Sequence, residues 1–128
     1  MRLLLDTHAL LWWLADDRQL GPKARKLIED PGNDVLVSVV SLWEIVVKVR
    51  VGKLEAEITD VTDAVSREGF LLLDIRTTHL RTLARLPMHH RDPFDHLLIA
   101  QAIGESAIFV SDDRHTSRYP VGLIACAD

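Results

Sequence analysis

Four acidic residues stand where a sheet-based fold can build chemistry. Asp6 directly follows the apolar run Arg2–Leu5, and Asp113 stands three residues after Val110. Glu44 lies near the start of a predicted helix, and Asp95 in the first turn of a helix opened by Asp92-Pro93. In open α/β sheets, ligands bind beyond the carboxyl ends of the strands. If the helices start at that same end, the acids converge. Clustered carboxylates repel and raise one another's pKa, and a hard divalent cation relieves that repulsion. Mg²⁺ or Mn²⁺ takes carboxylate oxygens, keeps several waters and leaves positions free for phosphate. Such an ion lowers the pKa of a water and stabilises the charge that builds on a phosphodiester under attack. Each acid also has a structural role open to it. Ser41-Leu42-Trp43-Glu44 has the form of a capping box, Asp92 and Asp95 suit the start of a helix, and Asp6 and Asp113 suit turns.

The elements that must position these acids are short and alternate in type. Arg2–Leu5 reads as a buried strand, with Thr7 capping a helix to about Ala15. Gly21-Pro22 opens a second helix that stops before Pro31-Gly32, because Pro at the first helical position gives up only an N–H without an intrahelical partner. Val35–Val37 is a strand. Ser38 or Ser41 caps the next helix, which Gly52 ends. A helix over Asp60–Glu68, a strand over Phe70–Leu73 and a helix over Thr78–Leu86 follow. The Asp92-Pro93 helix runs to about Gly104, followed by strands at Ala107–Val110 and Gly122–Ala125. This alternation predicts a three-layer α/β/α sandwich around a mostly parallel sheet of four to five strands, in one domain over residues 1–128. Continuous apolar strands agree with it, since parallel strands are covered on both faces.

Composition narrows the function classes. The chain has 128 residues, 48% of them hydrophobic, which excludes a disordered tail. Its only cysteine excludes a disulfide scaffold. Asp6 and His8 interrupt the one leader-like stretch, and no run approaches a membrane span, so a cytoplasmic protein without membrane contact is expected. Six histidines include the adjacent pair His89-His90, yet no HExxH and no Cys/His pairing marks a zinc site. There is no Gly-x-Gly-x-x-Gly or Walker sequence, and Asp6-Thr7-His8 lacks the second Asp of an aspartyl-phosphate motif. Trp12 and Trp13 cannot share one narrow helix face. Either one of them serves an interface or both lie half-buried around a wide core face.

Three segments carry a resemblance. Leu3-Leu4-Leu5-Asp6-Thr7-His8, Ser38-Val39-Val40-Ser41-Leu42-Trp43-Glu44-Ile45 and Arg91-Asp92-Pro93-Phe94-Asp95-His96-Leu97-Leu98-Ile99-Ala100-Gln101-Ala102 resemble the PIN-domain nucleases. Within these, they resemble the VapC toxins of type II toxin–antitoxin pairs. The resemblance implies an endoribonuclease that hydrolyses RNA with a metal-activated water held by clustered carboxylates. Asp6, Glu44 and Asp95 match the family's acids and would be both catalytic and metal-binding, with Mg²⁺ as the ion and Mn²⁺ able to substitute. In Val110-Ser111-Asp112-Asp113 the usual Thr-x-Asp is replaced by Ser and two acids. The register favours Asp113 as the fourth acid, with Asp112 the alternative. Asp92, Ser111 and Asp112 are expected to support the ligands from behind. Arg91, Arg114 and Arg118 flank the acids and are candidates for RNA contact. The resemblance also implies a homodimer, a cognate VapB-like antitoxin, and operator DNA bound only through that antitoxin. A catalytically silent PIN-like interaction module is the competing reading.

A net charge of −4 speaks against a broad basic nucleic-acid surface. It does not exclude a metal-dependent nuclease. Setting aside Asp6, Glu44, Asp95 and Asp113 from the 19 acids leaves 15, equal to the 15 bases.

Overall fold

Leu3, Leu4 and Leu5 are consecutive and all fully buried. A strand points successive side chains to opposite faces, so this burial requires a sheet covered on both sides. In the computed structural model, which describes residues 1–128, these leucines form β1 (Arg2–Leu5). The chain continues through α1 (Thr7–Leu14), α2 (Pro22–Glu29), β2 (Asp34–Ser38), α3 (Val39–Arg50), α4 (Ile58–Arg67) and β3 (Leu71–Leu73). It then forms α5 (Thr77–Arg85), α6 (Pro93–Gly104), β4 (Ile108–Ser111), a 3-10 turn (Arg114–Arg118) and β5 (Leu123–Ala125).

The five strands lie in the order β3-β2-β1-β4-β5, and every pairing is parallel. Leu3, Leu5, Val35, Val37 and Val110 face one layer, where they meet Ala9 and Leu10 of α1, Ala24 and Ile28 of α2, and Val61 and Val65 of α4. Leu4, Leu36, Leu73 and Phe109 face the other, against Leu97, Leu98, Ile99 and Ala102 of α6. Helix α3 joins the layers, sending Ile45 into the first core and Val40 into the second. Each fully buried Leu, Ile, Val or Phe side chain contributes about 1.5–3 kcal/mol. The three-layer sandwich expected from the sequence is therefore present, with a sheet that is parallel throughout. No helix is long and apolar enough to cross a membrane.

Several local expectations shift. Asp6, not Thr7, caps α1: its backbone is extended, and its Oδ1 accepts from Ala9 N at 2.7 Å. Ser38 is the cap of α3 and accepts from Val40 N. Glu44 is therefore too deep in α3 to close a capping box with Ser41. Helix α4 starts earlier than expected because the Glu57 carboxylate caps it through Thr59 N. The 3-10 turn at Arg114–Arg118 has no counterpart in the sequence reading. Both Trp12 and Trp13 are half-buried against the first core. Trp12 stacks on His8, and Trp13 Nε1 donates to Glu68, which fits a wide core face.

The start of α2 is closed by the chain's last residues. Gly21 N donates to Cys126 O at 2.6 Å and Ala24 N to Asp128 O at 3.0 Å. A Cβ at Gly21 would overlap the carbonyl oxygens of Ala127 and Asp128. At Gly122 it would make only ordinary contact with Ile108. Gly21→Ala should therefore destabilise the fold by about 1–3 kcal/mol, while Gly122→Ala changes it by less than about 0.5 kcal/mol. Urea unfolding of the two variants checks this, and equal midpoints would contradict it.

Candidate metal centre

The strand order reverses between β1 and β4. The chain winds outward through β2 and β3, then returns to β4 on the other side of β1. A crevice opens at such a reversal, beyond the carboxyl ends of the strands. Here it is a cleft of about 180 Å³ with no apolar lining residue. Asp6 enters it from the end of β1, Glu44 from α3, Asp92 and Asp95 from the start of α6, and Asp112 and Asp113 from the segment after β4. Thr7, His8 and Lys48 complete the wall.

Asp6 is 3% exposed. Its second oxygen accepts from Asp112 N at 3.3 Å. Burial pushes its carboxyl up to about 7, and the charge of Asp112 adds to this; the Ala9 N–H, the Ser111 hydroxyl and His8 act in the opposite direction. Asp95 is driven further, to about 9, by burial, its hydrogen bond with Asp113, and the charges of Asp92, Asp113 and Asp6. Burial also acts on Asp113. Its hydrogen bonds with Asp95 and the His115 N–H, and the neighbouring His90 and His115, outweigh it and hold Asp113 below the usual carboxylate range. The two effects run in opposite directions: the site favours the protonated form of Asp95 and the ionised form of Asp113.

Glu44 is 5% exposed. Thr7 Oγ1 donates to its Oε1 at 2.6 Å, and Lys48 Nζ approaches its Oε2 at 3.0 Å. Asp112 is held low by its hydrogen bond to His8, at 3.2 Å, and the same contact raises the His8 imidazole. Asp92 caps α6, accepting from Phe94 N and Asp95 N. Ser111 is buried below the cleft and accepts from Asp113 N at 3.1 Å.

The geometry therefore brings Asp6, Glu44, Asp95 and Asp113 together, with Asp92 and Asp112 on the same wall and Ser111 beneath. Asp112 and Asp113 differ in what they touch. Asp113 faces Asp95, whereas the Asp112 carboxylate is turned to His8. Arg91, Arg114 and Arg118 are exposed and do not line the cleft. The basic side chains that do are His8 and Lys48, and sequence reasoning missed Lys48. Its signal was present, since it stands four residues after Glu44 on one helix face. His90 was missed as well. Its Nε2 lies 3.5 Å from Asp95 Oδ2 and 3.8 Å from Asp113 Oδ2, and nothing in the sequence distinguishes it from His89.

This donor set fits a hard divalent cation. The donors are carboxylate oxygens, and two of the acids, Asp6 and Asp95, are pushed above the ordinary carboxylate range first by burial and then by the neighbouring carboxylates. An ion held by Asp6, Glu44, Asp95 and Asp113 would displace protons from those two acids. The same groups make stability fall with pH. Asp6 and Asp95 have folded pKa values above the ordinary 3.8. The stability they contribute is complete below about pH 4 and is lost as pH rises through their folded values, because the folded state then binds more protons than the unfolded one. In a chelator, the melting temperature should fall between pH 6.5 and 8.5 by on the order of several degrees, given about 2–8 °C per kcal/mol. Asp95→Asn, which mimics the protonated acid, should flatten that fall, and Mg²⁺ should reverse it in the unmodified protein. A melting temperature that stays level or rises across this interval would contradict the assignment.

The PIN domain family model matches residues 3–122. The chain is similar to VapBC2 from Rickettsia felis bound to a DNA fragment from its promoter, with a TM-score of 0.75 and 18% identity over 98% of each chain. It is also similar to a toxin–antitoxin complex from Klebsiella pneumoniae (TM-score 0.67, 17% identity, 97% of each chain). A third similar structure is DNA-bound VapBC from Salmonella typhimurium (TM-score 0.67, 14% identity, 98% of each chain). At these identities the likeness establishes the fold. No curated protein matches the sequence. With a family match that runs from β1 to the residue before β5, the chain belongs to the PIN-domain family.

Proposed function

We propose that this protein is a metal-dependent endoribonuclease, the toxin of a type II toxin–antitoxin pair. The observation that carries the reading is the meeting of Asp6, Glu44, Asp95 and Asp113, drawn from four separate segments, in one cleft lined by no hydrophobic residue. Asp6, Glu44, Asp95 and Asp113 would hold Mg²⁺, for which Mn²⁺ can substitute. Bound there, the ion supplies Lewis acidity toward a phosphodiester and toward water. The chain's own groups set the stage for that chemistry. Thr7 and Lys48 orient the two oxygens of Glu44. The Ala9 N–H fixes Asp6. Asp92 and Ser111 fix the backbone that carries Asp95 and Asp113.

RNA is the substrate in this reading. Lys48 offers positive charge inside the cleft, and the exposed Arg91, Arg114 and Arg118 offer it nearby. The similar solved structures are toxin–antitoxin complexes, two of them bound to DNA. They support a VapB-like antitoxin as partner, with operator DNA reached through the antitoxin. A homodimer and a cytoplasmic location complete the proposal.

Asp6→Asn tests it, because Asn caps a helix as well as Asp does and the fold should persist. RNA cleavage by antitoxin-free protein with Mg²⁺ should drop by more than about 100-fold, since even groups behind metal ligands cost about 10–100-fold. A folded Asp6→Asn protein with full activity would refute the role of Asp6. If the unmodified protein cleaves no RNA with Mg²⁺ or Mn²⁺, the interaction-module reading takes over.

A further inference from the structure

Three imidazoles between α6 and the 3-10 turn each leave one ring nitrogen without a hydrogen bond: His90 Nε2, His96 Nε2 and His115 Nδ1. Of these, the His90 nitrogen alone faces carboxylates within 4 Å. The His90 side chain is 8% exposed, so no bulk water compensates it. An unsatisfied buried polar atom costs about 1–3 kcal/mol, and a site that retains one calls for a partner.

The distances identify that partner. Separations of 3.5 Å and 3.8 Å to Asp95 and Asp113 exceed the roughly 2.7–3.2 Å of a hydrogen bond. They are close to the spacing of atoms that share one ion, since bonds of about 2.0–2.2 Å set tetrahedral ligands roughly 3.3–3.6 Å apart. The three donor atoms all lie within 4.8 Å of one another. We propose that His90 Nε2 is a nitrogen ligand to a divalent transition-metal ion shared with Asp95 and Asp113, which gives the cleft a preference for such an ion over Mg²⁺. The inference rests on the reading of the cleft as a metal centre and adds a donor that the acids alone do not supply. Imidazole favours ions of the Co²⁺ and Zn²⁺ kind, whereas Mg²⁺ prefers oxygen.

The surroundings suit a ligand. The ring lies flat on His115, with centroids 5.4 Å apart, and edge-on to His96 at 4.6 Å, so its direction is set. On the far side, Nδ1 is 2.8 Å from Tyr119 Oη, which also accepts from His89 N at 2.9 Å. With Nε2 on a metal, Nδ1 carries the proton and donates it to Tyr119. Metal-bound histidines are generally oriented in this way.

Co²⁺ is the probe, with Mg²⁺ as the comparison. In titration calorimetry, His90→Phe, which keeps a ring, should weaken Co²⁺ binding by about 10–100-fold or more and change Mg²⁺ binding by less than about threefold. Tyr119→Phe should weaken Co²⁺ by about 10-fold. Independently of any variant, the Co²⁺-loaded unmodified protein should show a paramagnetically shifted, exchangeable imidazole N–H resonance in its proton NMR spectrum. Absence of that resonance while Co²⁺ binds overturns the proposal, as does unchanged Co²⁺ affinity in folded His90→Phe. Failure of the unmodified protein to bind either ion, or Mg²⁺ and Co²⁺ binding that survives Asp95→Asn undiminished, would instead overturn the carboxylate centre itself.

Discussion

Carboxylates crowded beyond the end of a buried strand are the constraint on which this structure depends. Asp6 closes β1, the central strand, at 3% exposure. Beside it stands Asp95, whose carboxyl is pushed up by burial and by its contact with Asp113. Three of the acids in the cleft are tied to backbone N–H groups at the starts of helical turns. Asp6 caps α1, Asp92 caps α6 and Asp113 caps the 3-10 turn. Helix N-termini carry partial positive charge. The elements that build the fold thus also offset the charge of the site, though not completely, as the raised Asp6 and Asp95 show.

The covered sheet explains why this arrangement is stiff. Both faces of β1 are packed, so a shift of Asp6 would disturb Leu3 and Leu5 on one side and Leu4 on the other. Helix α3 brings Glu44 to the cleft while anchoring Ile45 in one core and Val40 in the other. Close-packed interiors transmit small displacements, so the acids hold their spacing despite their repulsion. Ionising the buried Asp6 and Asp95 then costs stability as pH rises, and a cation held in the cleft would recover it. Trading stability for a preorganised site is common in enzymes.

Much of the scaffold was legible in the sequence, because its signals are local. Three adjacent leucines announce a strand buried on both faces, and Gly21-Pro22 and Asp92-Pro93 announce helix starts. The two edge strands were legible too, as short apolar runs after glycine or aromatic residues. Cap assignments were harder. Asp6 and Thr7 both suit a cap, and the winner depends on which side chain has another partner. Thr7 has one in Glu44, 37 residues away.

The sequence by itself determined the layered α/β class, the strands and most helix boundaries, and the acids available for chemistry, because periodicity and capping act over a few residues. Only the tertiary structure decided which groups share the cleft. It turned Asp113 toward Asp95 and Asp112 toward His8, placed Lys48 inside and Arg91, Arg114 and Arg118 outside, and aimed His90 at the acids. Those outcomes depend on the parallel strand order and on the angles at which α3 and α6 leave the sheet. Contacts between distant segments set both, and no local pattern encodes them.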